Sequence, residues 1–367
     1  MKILLIGEYS NVHNTLCEGL KALGNNVTVA SNGDFWKNYP RDIDLSRKSS
    51  KWGGLKLLLR FYSSLNMYKG YDIVQIIGPM FMELKAERLI PIYHFLERHN
   101  RKIFLGINGN DYYCINSYIK DKPLKYSDFN IGNTLRKNDY ADNEQKEYLP
   151  GTAKQRLNKY ISENCDGIVA GLYEYWVCYN KAFPKKTTYI PYPIKSVELN
   201  NNINYSNIIK IFIGINKKRN AYKGTDIMLA AAEDITRKYP NRVELVKAVS
   251  VPFAEYQHLM DGSDLILDQL YSYTPSMNSL LAMSKGIVVV GGGEEEQYEF
   301  IGEKELRPII NVQPSKESVY HELEQIVLHP ERIPELKRQS IEYVHKYHDY
   351  IKVAKQYEAF YKSLLNE

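Results

Sequence analysis

The chain has 367 residues, of which 44% are hydrophobic and 25% charged. That length suits two domains, and the mix excludes collagen-like, coiled-coil and wholly disordered classes. No apolar run approaches the ~20 residues of a membrane-spanning helix, and the net charge of +5 is too mild to argue for nucleic acid, although it suits anionic ligands or lipid. The opening MKILLIGEYSN has four apolar residues before Gly7 and Glu8, too few for a signal-peptide core. A cytoplasmic location is expected. Cys17, Cys114, Cys165 and Cys178 include no C-x-x-C pair, which argues against structural zinc and a disulfide framework. No metal and no bound cofactor are expected.

Short β-branched runs alternate with amphipathic stretches, the pattern of α/β architecture with parallel sheets. In the first half, strands are predicted at Lys2–Ile6, Val27–Ala30, Ile73–Ile77, Lys102–Ile107, Gly167–Ala170 and Thr187–Ile190. Helices are predicted at Asn11–Leu23, Lys51–Tyr68, Met82–Arg98, Ala153–Asn164 and Tyr173–Ala182. The polar, Tyr-rich segment Asp111–Pro150 breaks this rhythm, as functional or mobile segments do. Pro191–Tyr205, with its prolines and asparagines, reads as a linker. The rhythm restarts with strands at Ile208–Gly214, Val243–Val249, Leu265–Asp268, Ile287–Val290 and Pro308–Val312. Helices follow at Gly224–Lys238, Pro252–Met260, Ser276–Ser284, Lys316–Leu328, Ile333–Lys346 and Tyr350–Leu365. Two similar α/β halves should therefore hinge near residue 195. Ligands of such sheets bind beyond the carboxyl ends of the strands, and the cleft between the halves is the default site.

Three stretches carry chemistry. Gly7 ends the first strand, and the helix after it presents N–H groups suited to anions. His13 at that helix start is placed to face the cleft, or else sits in ordinary hydrogen bonds. The G-x-G-x-x-G fingerprint of a nicotinamide site is absent. The second stretch, Gly214 to Asp226, gathers Lys217, Lys218, Arg219 and Lys223 beside a helix N-terminus, which favours a phosphate or pyrophosphate. In the third, Asp264 to Glu294, a strand feeds Pro275 and Ser276 at a helix start, then a buried strand and the run Gly291–Gly293. Asp268 is a carboxylate in a strand-like setting, hence paired or functional.

The second half resembles the retaining glycosyltransferases of family 4, which have the GT-B fold. The resemblance rests on Phe212–Gly214, Lys223-Gly224, Ala230–Ala232, Ser263-Asp264, Ala282-Met283-Ser284-Lys285-Gly286, Val288–Val290, Gly292-Gly293 and Glu295-Glu296. In the first half, Ala22 to Val29, Asn108 to Asp111 and Ile190-Pro191 are similar to family segments. The resemblance implies two Rossmann-like α/β domains facing each other across a cleft, with a C-terminal helix crossing back to the first. The expected boundaries are 1–193 for acceptor binding, 206–346 for nucleotide-sugar binding, and 347–367 for the returning helix. It further implies transfer of a sugar, with retained configuration and without metal, from a nucleotide-sugar donor to a glycan or lipid-linked acceptor in bacterial surface polysaccharide synthesis. Arg219 and Lys223 would stabilise the leaving pyrophosphate, with His13 the third catalytic candidate. Donor-binding candidates are Gly7, Lys218, Asp268, Gln269, Tyr273, Thr274, Pro275, Ser276, Met277 and Asn278. Asn108, Asn110 and Asp111 would meet the acceptor.

The chain departs from the family at its E-x7-E pair, which falls on Tyr273 and Leu281. Leu281 cannot accept a hydrogen bond from a ribose, so Asp268 and Gln269 are the nearest polar substitutes. Two alternatives stay open: a non-catalytic nucleotide-sugar-binding partner of another transferase, and an enzyme like the sugar-nucleotide 2-epimerases. No nucleic-acid partner is expected. Within 51–68, Trp52, Leu55, Leu58, Leu59, Tyr62 and Leu65 fall on one helical face flanked by Lys48, Lys51, Lys56 and Arg60. That composition suits peripheral contact with the inner face of a membrane, or a face packed on the sheet.

Overall fold

The computed structural model describes residues 1–195 and 207–365. Its strands, in chain order, are β1 (Lys2–Ile6), β2 (Asn26–Ser31), β3 (Ile43–Asp44), β4 (Ile73–Ile76), β5 (Lys102–Ile107), β6 (Asn130–Ile131), β7 (Thr134–Leu135), β8 (Gly167–Ala170), β9 (Thr187–Tyr189), β10 (Ile209–Ile215), β11 (Val243–Val249), β12 (Leu265–Leu267), β13 (Val288–Gly291) and β14 (Ile310–Asn311). They divide between two compact units. One comprises Met1–Ser117, Glu144–Pro193 and Tyr350–Glu367; the other comprises Tyr118–Asn143 and Ile194–Asp349. The expected first domain, 1–193, is thus corrected: 118–143 belongs to the second unit, joined there by side-chain contacts that no local pattern announces. The expected boundary at 206, and residues 196–205 of the linker segment, lie outside the described residues.

The first unit carries one sheet ordered β3-β2-β1-β4-β5-β8-β9, parallel throughout. Helices must cover both faces of such a sheet, so its strands are nearly continuous apolar runs: Ile3, Leu4 and Leu5 of β1 and Ile73 and Val74 of β4 are fully buried. One face packs Leu16 and Leu20 of helix Val12–Ala22, together with Val353, Ala354, Tyr357 and Tyr361 of the last helix, Tyr350–Leu365. That packing is close. A Cβ on Gly19 would stand 2.5 Å from the Tyr350 carbonyl oxygen and 2.7 Å from the Ala354 Cβ. The last helix therefore returns to the first unit. Helix Met82–Arg98 is corrected to Ala86–His99; residues 82–84 instead form a loop at the end of β4.

The second unit carries a five-stranded parallel sheet ordered β11-β10-β12-β13-β14. Its core joins Ile211 and Ile213 of β10 to Met228, Ala231, Ala232 and Ile235 of helix Thr225–Lys238 and to Val319 and Leu323 of helix Lys316–Leu328. A helix at Glu295–Ile301 follows the glycine run. The inserted 118–143 adds the small hairpin β6–β7.

Candidate functional site

In the second unit the strand order reverses between β10 and β12, which places the loops after these two strands side by side at the carboxyl edge. The Leu270 N–H donates to the Lys223 carbonyl at 3.0 Å. Gly224 has φ +71°, and a Cβ there would lie 2.6 Å from the Leu270 Cβ. Only glycine holds both the left-handed turn and this approach, so the Lys223-Gly224 pair fixes where the cationic loop meets the second loop. Lys217 and Lys218 are exposed, while Arg219 and Lys223 are half-buried. The Arg219 guanidinium lies over the rings of Tyr140 and Tyr222, 4.9 and 5.2 Å from their centres. Helices Thr225–Lys238 and Met277–Ser284 both start at this edge, and no side chain caps either start. The partial positive charge of two helix N-termini and four cationic side chains thus share one rim. That arrangement can neutralise a phosphate.

The second loop shapes this rim more than it reaches out of it. Asp268 is only 8% exposed. Its carboxylate accepts from the Asn278 amide at 2.9 Å and from the Ser279 hydroxyl. The Gln269 amide donates to Ser276 Oγ at 3.0 Å, and the Tyr256 hydroxyl donates to Asn278 at 3.0 Å. Asp268 and Gln269 therefore pin the start of the helix. Thr274 and Pro275 are buried, and Ser276, Met277 and Asn278 are half-buried beside them. Tyr273, at the position of the family's first glutamate, is buried too, and burial pushes its hydroxyl up to about 12. Its oxygen accepts the Lys125 N–H at 2.7 Å, and its ring lies 4.9 Å from that of Tyr126. Leu281 is half-buried.

Lys125 and Tyr126 belong to the inserted segment, which clamps both sides of the rim. Arg136 donates to the carbonyls of Ala221 and Tyr222 at 2.8 and 3.2 Å and stacks 3.1 Å from the centre of the Tyr271 ring. The Tyr222 hydroxyl donates to Asp128 at 2.9 Å. On the glycine-loop side, Glu294 accepts from the Tyr126 hydroxyl at 2.8 Å, Lys125 Nζ at 3.2 Å, Asn311 at 3.1 Å and Gln313 at 2.8 Å. Burial works to raise the Glu294 carboxyl, but the hydrogen bonds from Asn311, Tyr126, Gln313 and Lys125 hold it below its ordinary value. The sequence marks 111–150 as functional or mobile and ends a chemistry-bearing stretch at Glu294, but it singles out neither Glu294 nor any residue of 118–143 for the site. The only local signals are a carboxylate after three glycines and a tyrosine-rich break in the α/β rhythm.

The first unit has its own reversal, between β1 and β4, and a cavity of about 440 Å³ opens there among Gly7, Asn32, Ile77 and Asn108, at the ends of β1, β2, β4 and β5. Gly7, at φ +87°, lets the backbone turn tightly against Ile77 and Phe81. The expected anion site is corrected here. Glu8 folds its carboxylate over the start of helix Val12–Ala22 and accepts the N–H groups of Tyr9, His13 and Asn14 at 2.8, 3.2 and 2.8 Å, while Asp34 accepts that of Ser10 at 2.9 Å. The loop is filled by its own acids. Burial raises Glu8 to about 7 against the pull of those hydrogen bonds.

His13 does not face the cavity, which corrects its expected placement. It is fully buried, its Nδ1 sits 2.9 Å from the Gly7 carbonyl, and burial lowers it to about 4. A buried chain continues through Gln75, 3.4 Å from His13 Nε2, to the Tyr361 hydroxyl. Asp111 lines the cavity but is committed. Its carboxylate caps helix Tyr112–Asn116 through the N–H groups of Tyr113 and Cys114 and accepts from the Tyr179 hydroxyl at 2.5 Å. Burial raises it to about 6. Asn108 donates to the Ile77 carbonyl at 2.7 Å, and Asn110 stands beside it. Amides, carboxylates and an apolar wall of Ile77, Phe81 and Met82 suit hydroxyl groups on an uncharged ring better than phosphate.

No family model and no curated protein matches the chain. Solved structures do. Sucrose-phosphate synthase from Thermosynechococcus elongatus is 14% identical with all of both chains covered, at a TM-score of 0.64. HepE from Anabaena, solved in complex with UDP-glucose, is 12% identical over 99% of this chain and 100% of its own, at 0.60. A putative UDP-N-acetylglucosamine 2-epimerase from Listeria monocytogenes is 11% identical over 98% of this chain and 95% of its own, at 0.53. At these identities the likeness shows architecture: the chain has the two-domain α/β GT-B fold.

Proposed function

We propose that the chain is a glycosyltransferase that moves a sugar from a nucleotide-sugar donor to a glycan or lipid-linked acceptor. The reading rests on one observation: a cationic loop and two helix starts uncapped by side chains share the switch point of the second unit. In this reading Arg219 and Lys223 meet the diphosphate and stabilise the charge that develops as the sugar leaves. Lys218 and the backbone of 274–277 complete the donor side, and a bound metal is not needed. The first unit supplies the acceptor side through Asn108, Asn110 and the cavity wall. Its acid-filled loop argues against a second phosphate there. Retention of configuration and a place in bacterial surface polysaccharide synthesis at the cytoplasmic face of a membrane complete the proposal. HepE's complex with UDP-glucose makes UDP the first nucleotide to try.

The 2-epimerase among the structural neighbours favours a second reading, in which the donor is isomerised and no acceptor is used. The buried His13 and the committed Asp111 count against it as acid–base groups. The test is thermal shift against UDP, GDP and ADP, followed by incubation of the responding sugar nucleotide with and without glycan acceptors. A ligand at 100 times its Kd adds about 2.7 kcal/mol of stability. Selective stabilisation followed by acceptor-dependent release of nucleotide is the expected result. An isomerised sugar nucleotide would establish the epimerase reading. Stabilisation without turnover would leave a binding partner of another transferase, with Tyr273 and Leu281 as its cause, and no stabilisation would remove the donor site.

A further inference from the structure

One feature of the first unit lies outside both sites, touching the cavity only through Phe35. Helix Gly53–Ser63 buries Gly53, Leu57 and Phe61, a single stripe spaced four residues apart. Its other side carries Leu55, Leu59 and Tyr62, which are 39%, 60% and 43% exposed, with Trp52 at 66% just before and Met67 at 47% just after. The short turn Phe35–Lys37 adds Phe35 and Trp36, 63% and 62% exposed. Seven of the fourteen large apolar side chains exposed among the described residues thus fall within residues 35–67. A core-facing helix would bury them.

Charge gathers in the same place. Residues 35–68 hold seven basic residues and two acidic ones, so this stretch alone carries a net charge equal to the +5 of the whole chain. One polar network ties the two apolar pieces together. Arg41 donates to Asn38 at 2.8 Å and to Asp44 at 2.7 Å; Arg60 lies 3.8 Å from Asp44 and donates to the Ser46 carbonyl at 2.7 Å. Gly53 fixes the basic corner, since a Cβ there would strike the Lys48 carbonyl oxygen at 2.0 Å. Lys48, Lys51 and Lys56 are exposed around the apolar side chains.

We infer that this face docks on an anionic lipid bilayer, with Trp52, Leu59 and Trp36 entering the headgroup boundary and Lys48, Lys51 and Lys56 meeting lipid phosphates. Tryptophan and tyrosine favour that boundary, and a basic rim around an apolar face is the composition of an interfacial anchor. The same rim disfavours a second copy of the chain, because a two-fold contact would set like charges against each other. No described helix is long and apolar enough to cross a membrane, so contact stays at the surface. This docking deepens the membrane location proposed above without depending on the sugar transfer, which it would serve by bringing a lipid-linked acceptor to the first unit.

The test is co-sedimentation of the full chain with phosphatidylcholine vesicles, with and without phosphatidylglycerol. Wild type should partition at least about tenfold more strongly onto the anionic vesicles. Two variants, Trp52→Ser with Leu59→Ser, and Lys48→Glu with Lys51→Glu and Lys56→Glu, should each lose that gain while keeping the melting temperature and any nucleoside diphosphate affinity. No binding to either vesicle, equal binding to both, or binding unchanged in the variants overturns the inference. So does a dimer, seen by light scattering, that the Trp52→Ser, Leu59→Ser variant dissociates.

Discussion

The two units face the same physical problem at the same place and solve it in opposite ways. Each ends its first strand at a switch point, and each then starts a helix whose backbone N–H groups need partners. In the first unit, the chain brings its own carboxylates: Glu8 and Asp34 take the N–H groups of Tyr9, Ser10, His13 and Asn14. In the second, the corresponding loop carries Lys217, Lys218, Arg219 and Lys223, and no side chain caps the helix after it. A fold alone therefore does not say where an anion goes. The few side chains at the strand end decide, because an acid already in place occupies the N–H donors that a phosphate would need.

The largest expected effect falls on the insert. Glu294→Ala removes a buried carboxylate that serves Lys125, Tyr126, Asn311 and Gln313. Leaving the neutral donors of Tyr126, Asn311 and Gln313 without it should cost about 3 kcal/mol, the upper end of the range for buried groups left unsatisfied, and hydrogen exchange should rise in residues 124–136. A destabilised protein with an insert exchanging as before would show that Glu294 supports the glycine loop alone. The next largest effect separates the two switch points. Lys223→Ala should weaken nucleoside diphosphate binding by about 1.5–3 kcal/mol, the range for a hydrogen bond to a charged group, whereas Glu8→Gln should leave it unchanged in calorimetry. The reverse pattern would move the anion site to the first unit.

These contrasts were unevenly visible in the chain. Strands Lys2–Ile6, Lys102–Ile107 and Gly167–Ala170 stand at their expected bounds, because strands inside a parallel sheet are apolar runs that end sharply at glycine or polar residues. The cationic loop was legible for the same reason: it is local. Met82–Leu84 misled, since its apolar residues fit a helical period but belong to a loop at the end of β4. The helix Glu295–Ile301 hid behind the glycine run. The insert could not be placed at all. Tyr126 and Glu294 are 168 residues apart, and no periodicity records a contact that side chains alone create. Glu8 gives no local signal, since a glutamate beside a glycine reads as solvated, and only the left-handed turn at Ser10 and Asn11 (φ 50° and 73°) folds the loop back over it.

The smallest effect comes from the first switch point and needs two variants to see. Glu8 is raised to about 7 in the folded chain, so between the ordinary carboxylate value and pH 7 the native state holds a proton that the unfolded state has lost. Its share of stability is complete at low pH and drains away as pH rises through that window. His13 is lowered to about 4. Between pH 4 and its ordinary value the unfolded state holds the extra proton, so its share is complete at high pH and is lost as pH falls through the same window. The two trends nearly cancel from about pH 5 to about pH 6.5, each amounting to roughly 1.5 kcal/mol over that span. Glu8→Gln should therefore gain stability relative to wild type as pH rises across it, and His13→Asn should lose stability relative to wild type by a similar amount. Urea unfolding at the two pH values reads both slopes. Parallel curves for Glu8→Gln and wild type would mean that its carboxylate stays ionised on the helix N–H groups, and that the first switch point is filled by a full negative charge at every pH above the ordinary range.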